Sequence, residues 1–205
     1  MGATTLLRMP PAVHTRKLSY ADYASGEGAG EQKHEFFNGE VYAMAGGTIE
    51  HGRMGTRVRR GVEATLPVDC DCFVEGPDIR VRTPSGKGTY PDGFVVCGKL
   101  ERDAEDEDSI TNPRLIVEVL SEGTEGYDRE GKFEHYRSIV SLKEYVLVSF
   151  RKPLIESHVR NADGSWTTTF AGAGEILVLP SVRARLNVDD VYADMTLVDG
   201  VMRLA

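Results

Sequence analysis

The stretch Leu115-Ile116-Val117-Glu118-Val119-Leu120-Ser121 sets one carboxylate inside an otherwise apolar run. A continuous apolar run of this length predicts a central β-strand that is covered on both faces. An unpaired anion in such a strand is very costly, so Glu118 needs a partner, which could be a cation, a metal ion or its own proton, held by a raised pKa. The preceding apolar run opens with Tyr90-Pro91-Asp92. If the two strands pair, Asp92 lies beside Glu118.

Composition bounds the class of protein. The chain has 205 residues, of which 40% are hydrophobic, and this indicates a single compact domain. Its formal net charge of -8 argues against a protein that coats nucleic acid by charge alone, although a local basic face is still compatible with it. No apolar run approaches the roughly 20 residues of a membrane span, and the N-terminus lacks a secretory pattern, so we expect a cytoplasmic protein with no membrane contact.

We expect residues 1–17 to form a flexible arm and residues 18–205 to form one domain, with a core at about 48–150 and a β-extension at about 151–205. The odd number of cysteines and the Cys70-Asp71-Cys72 spacing fit neither a disulfide framework nor a zinc site. We therefore expect Cys70, Cys72 and Cys97 to be free thiols.

The N-terminal half gives clear local signals. Ser19 predicts the start of a short helix, and Asn38-Gly39 predicts a tight hairpin between Lys33–Phe37 and Glu40–Met44. Apolar residues at every fourth position predict a helix from about Thr48 to Leu66. An arginine stripe beside that apolar face is either a solvated face or a phosphate-contact surface; it comprises Arg53, Arg57 and Arg60.

The rest of the chain predicts more strands than helices. The run from Cys72 to Arg82 predicts one strand with Asp78 in its middle, and the next strand runs from Asp92 to Cys97. Asp128 is a candidate cap for a helix that continues to about Ile139. Further strands are expected at Glu144–Phe150, Leu154–Arg160, Trp166–Phe170 and Glu175–Leu179, with a final hairpin at Asp199-Gly200. The fold class is therefore α/β (α+β), a mixed sheet flanked by helices, with an N-terminal helix and hairpin and C-terminal antiparallel strands.

Two carboxylates brought together repel each other, and a shared proton or a divalent cation resolves the repulsion. Mg²⁺ prefers oxygen ligands and commonly uses one or two protein carboxylates together with a substrate phosphate. Such an ion polarises a phosphoryl oxygen and lowers the pKa of a bound water. A site built on Asp92 and Glu118 is thus compatible with phosphodiester hydrolysis.

The ordered series of polar residues resembles the Uma family of restriction-endonuclease-like proteins, within the PD-(D/E)XK nuclease superfamily. The resemblance covers roughly Leu18 to Phe150, and its residues are Glu35, Asn38-Gly39, His51, Asp78, Tyr90-Pro91-Asp92, Pro113, Glu118-Val119-Leu120-Ser121, Asp128, Lys132, Tyr136 and Glu144-Tyr145. It implies a restriction-endonuclease-like core that cleaves DNA with Mg²⁺ or Mn²⁺, and a homodimer.

The resemblance also implies roles for individual residues. Asp92, Glu118 and the backbone carbonyl of Val119 would hold the metal. Glu35 and Asp78 match acidic positions near the same site, and His51 matches a polar group at the start of a helix.

One position departs from the superfamily pattern. The lysine that normally follows the glutamate by two residues, on the same face of the strand, is replaced here by Leu120. Lys132, on the following helix, is the candidate replacement.

Three alternatives stay open at this point. Glu118 could be a structural ion-pair partner of Lys132. The chain could be a catalytically inactive nucleic-acid- or protein-binding module on a nuclease scaffold. The acidic connector from Glu101 to Asp108 could meet a basic protein partner.

Overall fold

The computed structural model describes residues 17–27, 32–44 and 46–205. The expected N-terminal arm therefore lies almost entirely outside the described residues. Within these ranges the helices are α1 (Tyr20–Glu27), α2 (Ile49–Thr65), α3 (Phe133–Arg137) and α4 (Val188–Val191), and a π-helical segment (Tyr127–Lys132) directly precedes α3. The strands are β1 (His34–Phe37), β2 (Glu40–Ala43), β3 (Cys72–Glu75), β4 (Arg80–Arg82), β5 (Gly88–Thr89), β6 (Gly93–Cys97), β7 (Ser109–Ile110), β8 (Leu115–Val119), β9 (Glu144–Val148), β10 (Leu154–Arg160), β11 (Trp166–Gly172), β12 (Ile176–Leu179), β13 (Ala184–Asn187), β14 (Met195–Val198) and β15 (Val201–Leu204).

A six-stranded mixed sheet, in the order β11-β10-β9-β8-β6-β3, forms the centre of the molecule. Strands β8 and β9 are parallel, and the other neighbours in this sheet are antiparallel. Every residue of β8 and of β9 is buried, as their continuous apolar runs predict. Strands β10 and β11, which lie beyond residue 150, extend this same sheet.

A five-stranded sheet, in the order β2-β1-β5-β4-β7, carries the predicted hairpin. Asn38 and Gly39 join β1 to β2 with φ values of 51° and 85°, the left-handed conformations that this dipeptide tolerates. Helix α1 packs on this sheet through Tyr20 and Tyr23, whose rings contact Phe36. The predicted hairpin and N-terminal helix are confirmed.

Helix α2 covers the central sheet. The Thr48 side chain caps it by accepting a hydrogen bond from the backbone N–H of His51, at 3.2 Å. The predicted apolar face is buried, with Met54, Val58 and Val62 at most 1% exposed. The start of α2 therefore lies beside the end of β8, where His51 reaches Val119.

Two local predictions are wrong. The run from Cys72 to Arg82 is not one strand, because the chain turns at 76–79 and continues from β3 into β4, which belongs to the other sheet. Asp128 does not cap a helix, because it lies inside the π-helical segment with its side chain buried.

The expectation of three free thiols is also wrong for two of them. Cys72 and Cys97 are directly opposite each other on the antiparallel strands β3 and β6, with 4.0 Å between their Cα atoms, and they form a disulfide. Cys70 is free. Sequence spacing gave no hint of this bridge, since it depends on the register of strands 25 residues apart.

The C-terminal part ends in two hairpins, β12–β13 and β14–β15, and the second turns at Asp199-Gly200 as expected. The mixed α/β architecture with C-terminal antiparallel strands is thus confirmed. No helix in the described ranges combines the length and the apolarity that crossing a membrane requires.

Candidate active site

The pairing of β6 with β8 brings Asp92 to the end of the glutamate strand. Gly93 is opposite Val117 in the antiparallel register, so Asp92 follows in line opposite Glu118. The Asp92 Oδ2 atom accepts a hydrogen bond from the backbone N–H of Val119 at 2.7 Å. His51 Nε2 lies 3.2 Å from the same Oδ2 and 2.9 Å from the Val119 carbonyl oxygen. Both neighbours of Nε2 are acceptors, so this nitrogen carries the proton.

Glu118 is 3% exposed and is met by two donors from the helical segment that follows β8. Lys132 Nζ lies 3.2 Å from Glu118 Oε1, and the Tyr136 hydroxyl donates to the same oxygen at 2.8 Å. The superfamily pattern places a lysine two residues after the glutamate. Here the ammonium group beside Glu118 belongs to Lys132, which is 14 residues further along the chain.

Lys132 also contacts two other carboxylates. Its Nζ lies 3.1 Å from Asp128 Oδ1 and 3.4 Å from Glu35 Oε1. Asp128 and Lys132 are four residues apart on the π-helical segment, and both are buried. One turn of this segment therefore places a carboxylate and an ammonium group side by side.

Glu35 enters the site from β1 of the other sheet, together with a second lysine. Lys87 Nζ lies 2.7 Å from Glu35 Oε2, and the Thr89 hydroxyl donates to Oε1 at 2.5 Å. Lys87 is completely buried. Sequence reasoning missed Lys87 and Thr89 because Ser85-Gly86-Lys87-Gly88 is typical of an exposed turn. Asp128 had two signals in the sequence, its place in the series that resembles the Uma family and its four-residue spacing from Lys132.

We call these side chains the carboxylate cluster: Glu35, Lys87, Asp92, Glu118, Asp128 and Lys132. Four carboxylates face two ammonium groups, so the cluster carries an excess of negative charge when all are ionised. Burial raises the pKa of Glu118 to about 8 against the opposing effect of Lys132, and the carboxylates of Asp128 and Asp92 raise it further. Burial alone would also raise the pKa of Glu35, but Lys132 and Lys87 outweigh it and lower that pKa to about 2.

The donor chemistry of the cluster fits a hard divalent cation. Asp92, Glu118 and the Val119 carbonyl offer only oxygen atoms, and a cation there would offset the excess charge. Across the described part of the chain, no group of three or more His, Cys, Asp or Glu side chains is arranged to hold a metal ion. Two carboxylates and a carbonyl still suffice for Mg²⁺, which keeps several of its waters.

Asp78 is the one predicted site residue that the structure does not bring to this cluster. It lies in the turn between β3 and β4, its side chain is 85% exposed, and it forms an ion pair with Lys33. The strand that would have carried it toward the site ends at Glu75.

Comparisons with known proteins show what this chain is similar to. Two uncharacterized proteins of Synechocystis sp. are similar: one is 35% identical over 89% of this chain and 95% of its own length, and the other is 30% identical over 76% of this chain and 88% of its own. A crystal structure of a "putative nuclease belonging to DUF820" from Anabaena variabilis matches with a TM-score of 0.65 at 13% identity, covering 80% of this chain and 92% of that one, which shows a shared fold.

The model of the Uma2 family, described as "Putative restriction endonuclease", matches residues 20–189. The fold is therefore restriction-endonuclease-like, and the chain belongs to the Uma2 family.

Proposed function

We propose that the protein is a Mg²⁺- or Mn²⁺-dependent endonuclease that hydrolyses DNA phosphodiester bonds. The observation that carries the proposal is the approach of Lys132 Nζ to Glu118 Oε1, at 3.2 Å, beside Asp92 and in a buried site with excess negative charge. The matched family is described as "Putative restriction endonuclease" and the Anabaena protein as a "putative nuclease", and both descriptions support this class of activity.

Asp92, Glu118 and the Val119 carbonyl would hold the ion. When bound, it polarises a phosphoryl oxygen and lowers the pKa of a bound water. The protein's own groups have separate tasks. Lys132 supplies positive charge next to the position of the reacting phosphate, and Glu35 and Asp128 fix its side chain from two sides. His51 holds Val119 and the Asp92 carboxylate. Asp78 has no part in this proposal because its contact is with Lys33.

A plasmid-cleavage assay tests the metal and its ligands. The wild-type protein should cleave DNA with Mg²⁺ or Mn²⁺ and not with EDTA, and Asp92→Asn and Glu118→Gln should each abolish cleavage. Asp78→Asn is the matched control, since it removes an exposed acid outside the carboxylate cluster. Unchanged cleavage in Asp92→Asn would remove the assignment. If the wild-type protein binds DNA but does not cleave it, the catalytically inactive binding module is favoured instead.

The role of Lys132 has its own variant. Lys132→Met keeps most of the side-chain volume and removes the charge, and we expect kcat to fall on the order of 100-fold or more. The exposed Lys152 provides the control, Lys152→Met, which should leave kcat unchanged. Equal rates in the two variants would show that Lys132 is a structural ion-pair partner.

We also propose a homodimer, since cleavage of both strands of a duplex uses two active sites. Light scattering coupled to gel filtration tests this directly: a mass near 45 kDa, about twice the 22.5 kDa of the chain, is expected. A mass of one chain, with and without DNA, would refute it.

A further inference from the structure

Arg59, on helix α2, reaches the backbone of the proposed metal ligand Asp92. Its Nη1 donates to the Asp92 carbonyl oxygen at 2.5 Å, and its Nη2 donates to the Thr56 hydroxyl at 3.2 Å. The side chain is half-buried. The guanidinium group is thus fixed on its own helix while it holds the residue that begins the turn into β6.

Two glycines leave room for this side chain. A Cβ atom on Gly93 would stand 2.9 Å from Arg59 Cγ, and one on Gly76 would stand 3.3 Å from Arg59 Nε. Both contacts are closer than side chains normally allow. Gly93 is the first residue of β6 and Gly76 follows the last residue of β3, so Arg59 lies where these two strands separate.

This separation explains why the Asp92 carbonyl needs a side-chain donor. The pairing of β3 with β6 runs from Cys72 opposite Cys97 to Glu75 opposite Phe94 and stops there. Asp92 lies two residues beyond the last pair, where β3 has already turned away. Arg59 supplies a hydrogen bond at the point where strand pairing no longer can.

Arg59 also differs from Arg53 and Arg57 in its partners. Arg53 and Arg57 on the same helix form ion pairs with Asp194. Among the described residues, no carboxylate lies within ion-pair distance of Arg59, and its donors go to a carbonyl and a hydroxyl. Asp92 is therefore held at two places: the Val119 N–H and His51 contact its carboxylate, and Arg59 contacts its carbonyl oxygen.

We propose that Arg59 is a positioning residue, which fixes the backbone of Asp92 so that the carboxylate keeps the orientation needed to bind the divalent cation. This inference rests on the proposed function. Residues that orient metal ligands typically change metal affinity by 10- to 100-fold when they are removed.

The experiment measures Mn²⁺ binding to the full chain by titration calorimetry, without DNA. Arg59→Met keeps the aliphatic stem between the two glycines and removes the guanidinium group, and we expect Kd for Mn²⁺ to rise about 10-fold or more. Arg59→Lys keeps one donor for the Asp92 carbonyl and should give an intermediate Kd. Arg60→Met, at the exposed neighbouring position, is the matched control and should bind as the wild type does. Urea unfolding of each variant reports on the fold, and Arg59→Lys decides the matter if Arg59→Met does not fold.

The outcomes separate this inference from the function on which it rests. Weaker Mn²⁺ binding in the Arg59 variants, with wild-type binding in Arg60→Met, supports the inference. Wild-type affinity in these variants, with a changed urea midpoint or without one, overturns it, while loss of binding in Asp92→Asn shows that the metal site itself stands. If Asp92→Asn binds Mn²⁺ as the wild type does, the proposed metal site fails, and the positioning role fails with it.

Discussion

The protein buries two ionic clusters that differ in how well their charges are matched. The carboxylate cluster holds four acids and two lysines between β1, β8 and the π-helical segment. The second, which we call the Arg80 cluster, comprises Arg80, Asp106, Ser109, Tyr20 and Tyr90. In it, Arg80 Nε and Nη2 donate to the two oxygens of Asp106 at 2.7 and 2.6 Å, and Ser109 and Tyr20 donate to Oδ2 at 2.5 and 3.0 Å.

Asp106 of the Arg80 cluster and Glu118 of the carboxylate cluster respond to burial in opposite ways. Burial would raise the pKa of Asp106, but hydrogen bonds from Arg80 and Ser109 outweigh it and hold that pKa below its usual value. Burial raises the pKa of Glu118 to about 8 despite Lys132. Lys87 Nζ lies 5.1 Å from the centre of the Tyr127 ring, and the Tyr127 hydroxyl is buried with no hydrogen-bond partner in the described structure. The Arg80 cluster fixes helix α1 through Tyr20. The carboxylate cluster keeps more negative than positive charge, as a binding site for a cation requires.

The largest expected stability effect separates the two clusters directly. Asp106→Ala leaves Arg80, which is 5% exposed, without its bidentate partner, and should lower the free energy of unfolding by about 3–5 kcal/mol. Asp128→Ala should lower the free energy of unfolding by less. Lys132 keeps its ion pairs with Glu118 and Glu35, and the cluster loses one of its excess negative charges. Urea denaturation with EDTA measures both. An equal or larger loss in Asp128→Ala would contradict the comparison.

Divalent cations should stabilise one cluster only. At a Mn²⁺ concentration of about 100 times Kd, the free energy of unfolding should rise by about 2.7 kcal/mol, because the ion binds the folded state. The rise should vanish in Asp92→Asn and persist in Asp106→Asn. Urea denaturation with and without Mn²⁺ measures it, and an equal rise in both variants would assign the ion to another place.

The contributions of Asp106 and Glu118 to the pH dependence of stability should have opposite signs. Asp106 has a lowered pKa, so its contribution is present above the unfolded value of about 3.9 and is lost as the pH falls through the folded value. Glu118 has a raised pKa, so the metal-free folded state binds more protons than the unfolded state between about pH 4 and 8. Stability therefore falls as the pH rises through that window.

Glu118→Gln should remove that fall and, in EDTA at pH 8, raise the free energy of unfolding by about 1–3 kcal/mol. Asp106→Asn should instead remove the part of the loss at acid pH that comes from Asp106, while the part from Glu35 stays. Urea midpoints across the pH range measure both slopes. A Glu118→Gln protein that is less stable than the wild type at pH 8 would show that the glutamate is a structural partner of Lys132.

The sequence predicted local features well where a few neighbouring residues decide them. Asn38-Gly39 requires a turn, and the apolar run around Glu118 requires a covered strand. It predicted poorly what depends on register or on the other sheet. The Cys72–Cys97 bridge needs a strand pairing, and the burial of Lys87 follows from β5 lying against β1, which a turn-like Ser85-Gly86-Lys87-Gly88 conceals. Asp78 was misplaced because a break at Gly76 interrupts an alternating pattern that otherwise predicts one strand.

The smallest expected effect compares two buried tyrosine hydroxyls. Tyr20→Phe removes contacts with Asp106 and Ser109 at 3.0 and 2.9 Å and should lower the free energy of unfolding by about 1–2 kcal/mol. Tyr127→Phe removes a hydroxyl without a hydrogen-bond partner, so the change should be about 0, or slightly stabilising. Urea denaturation of the two variants measures the difference. An equal loss in Tyr127→Phe would mean that this hydroxyl is matched in solution, and the contrast between the clusters would then rest on the carboxylates alone.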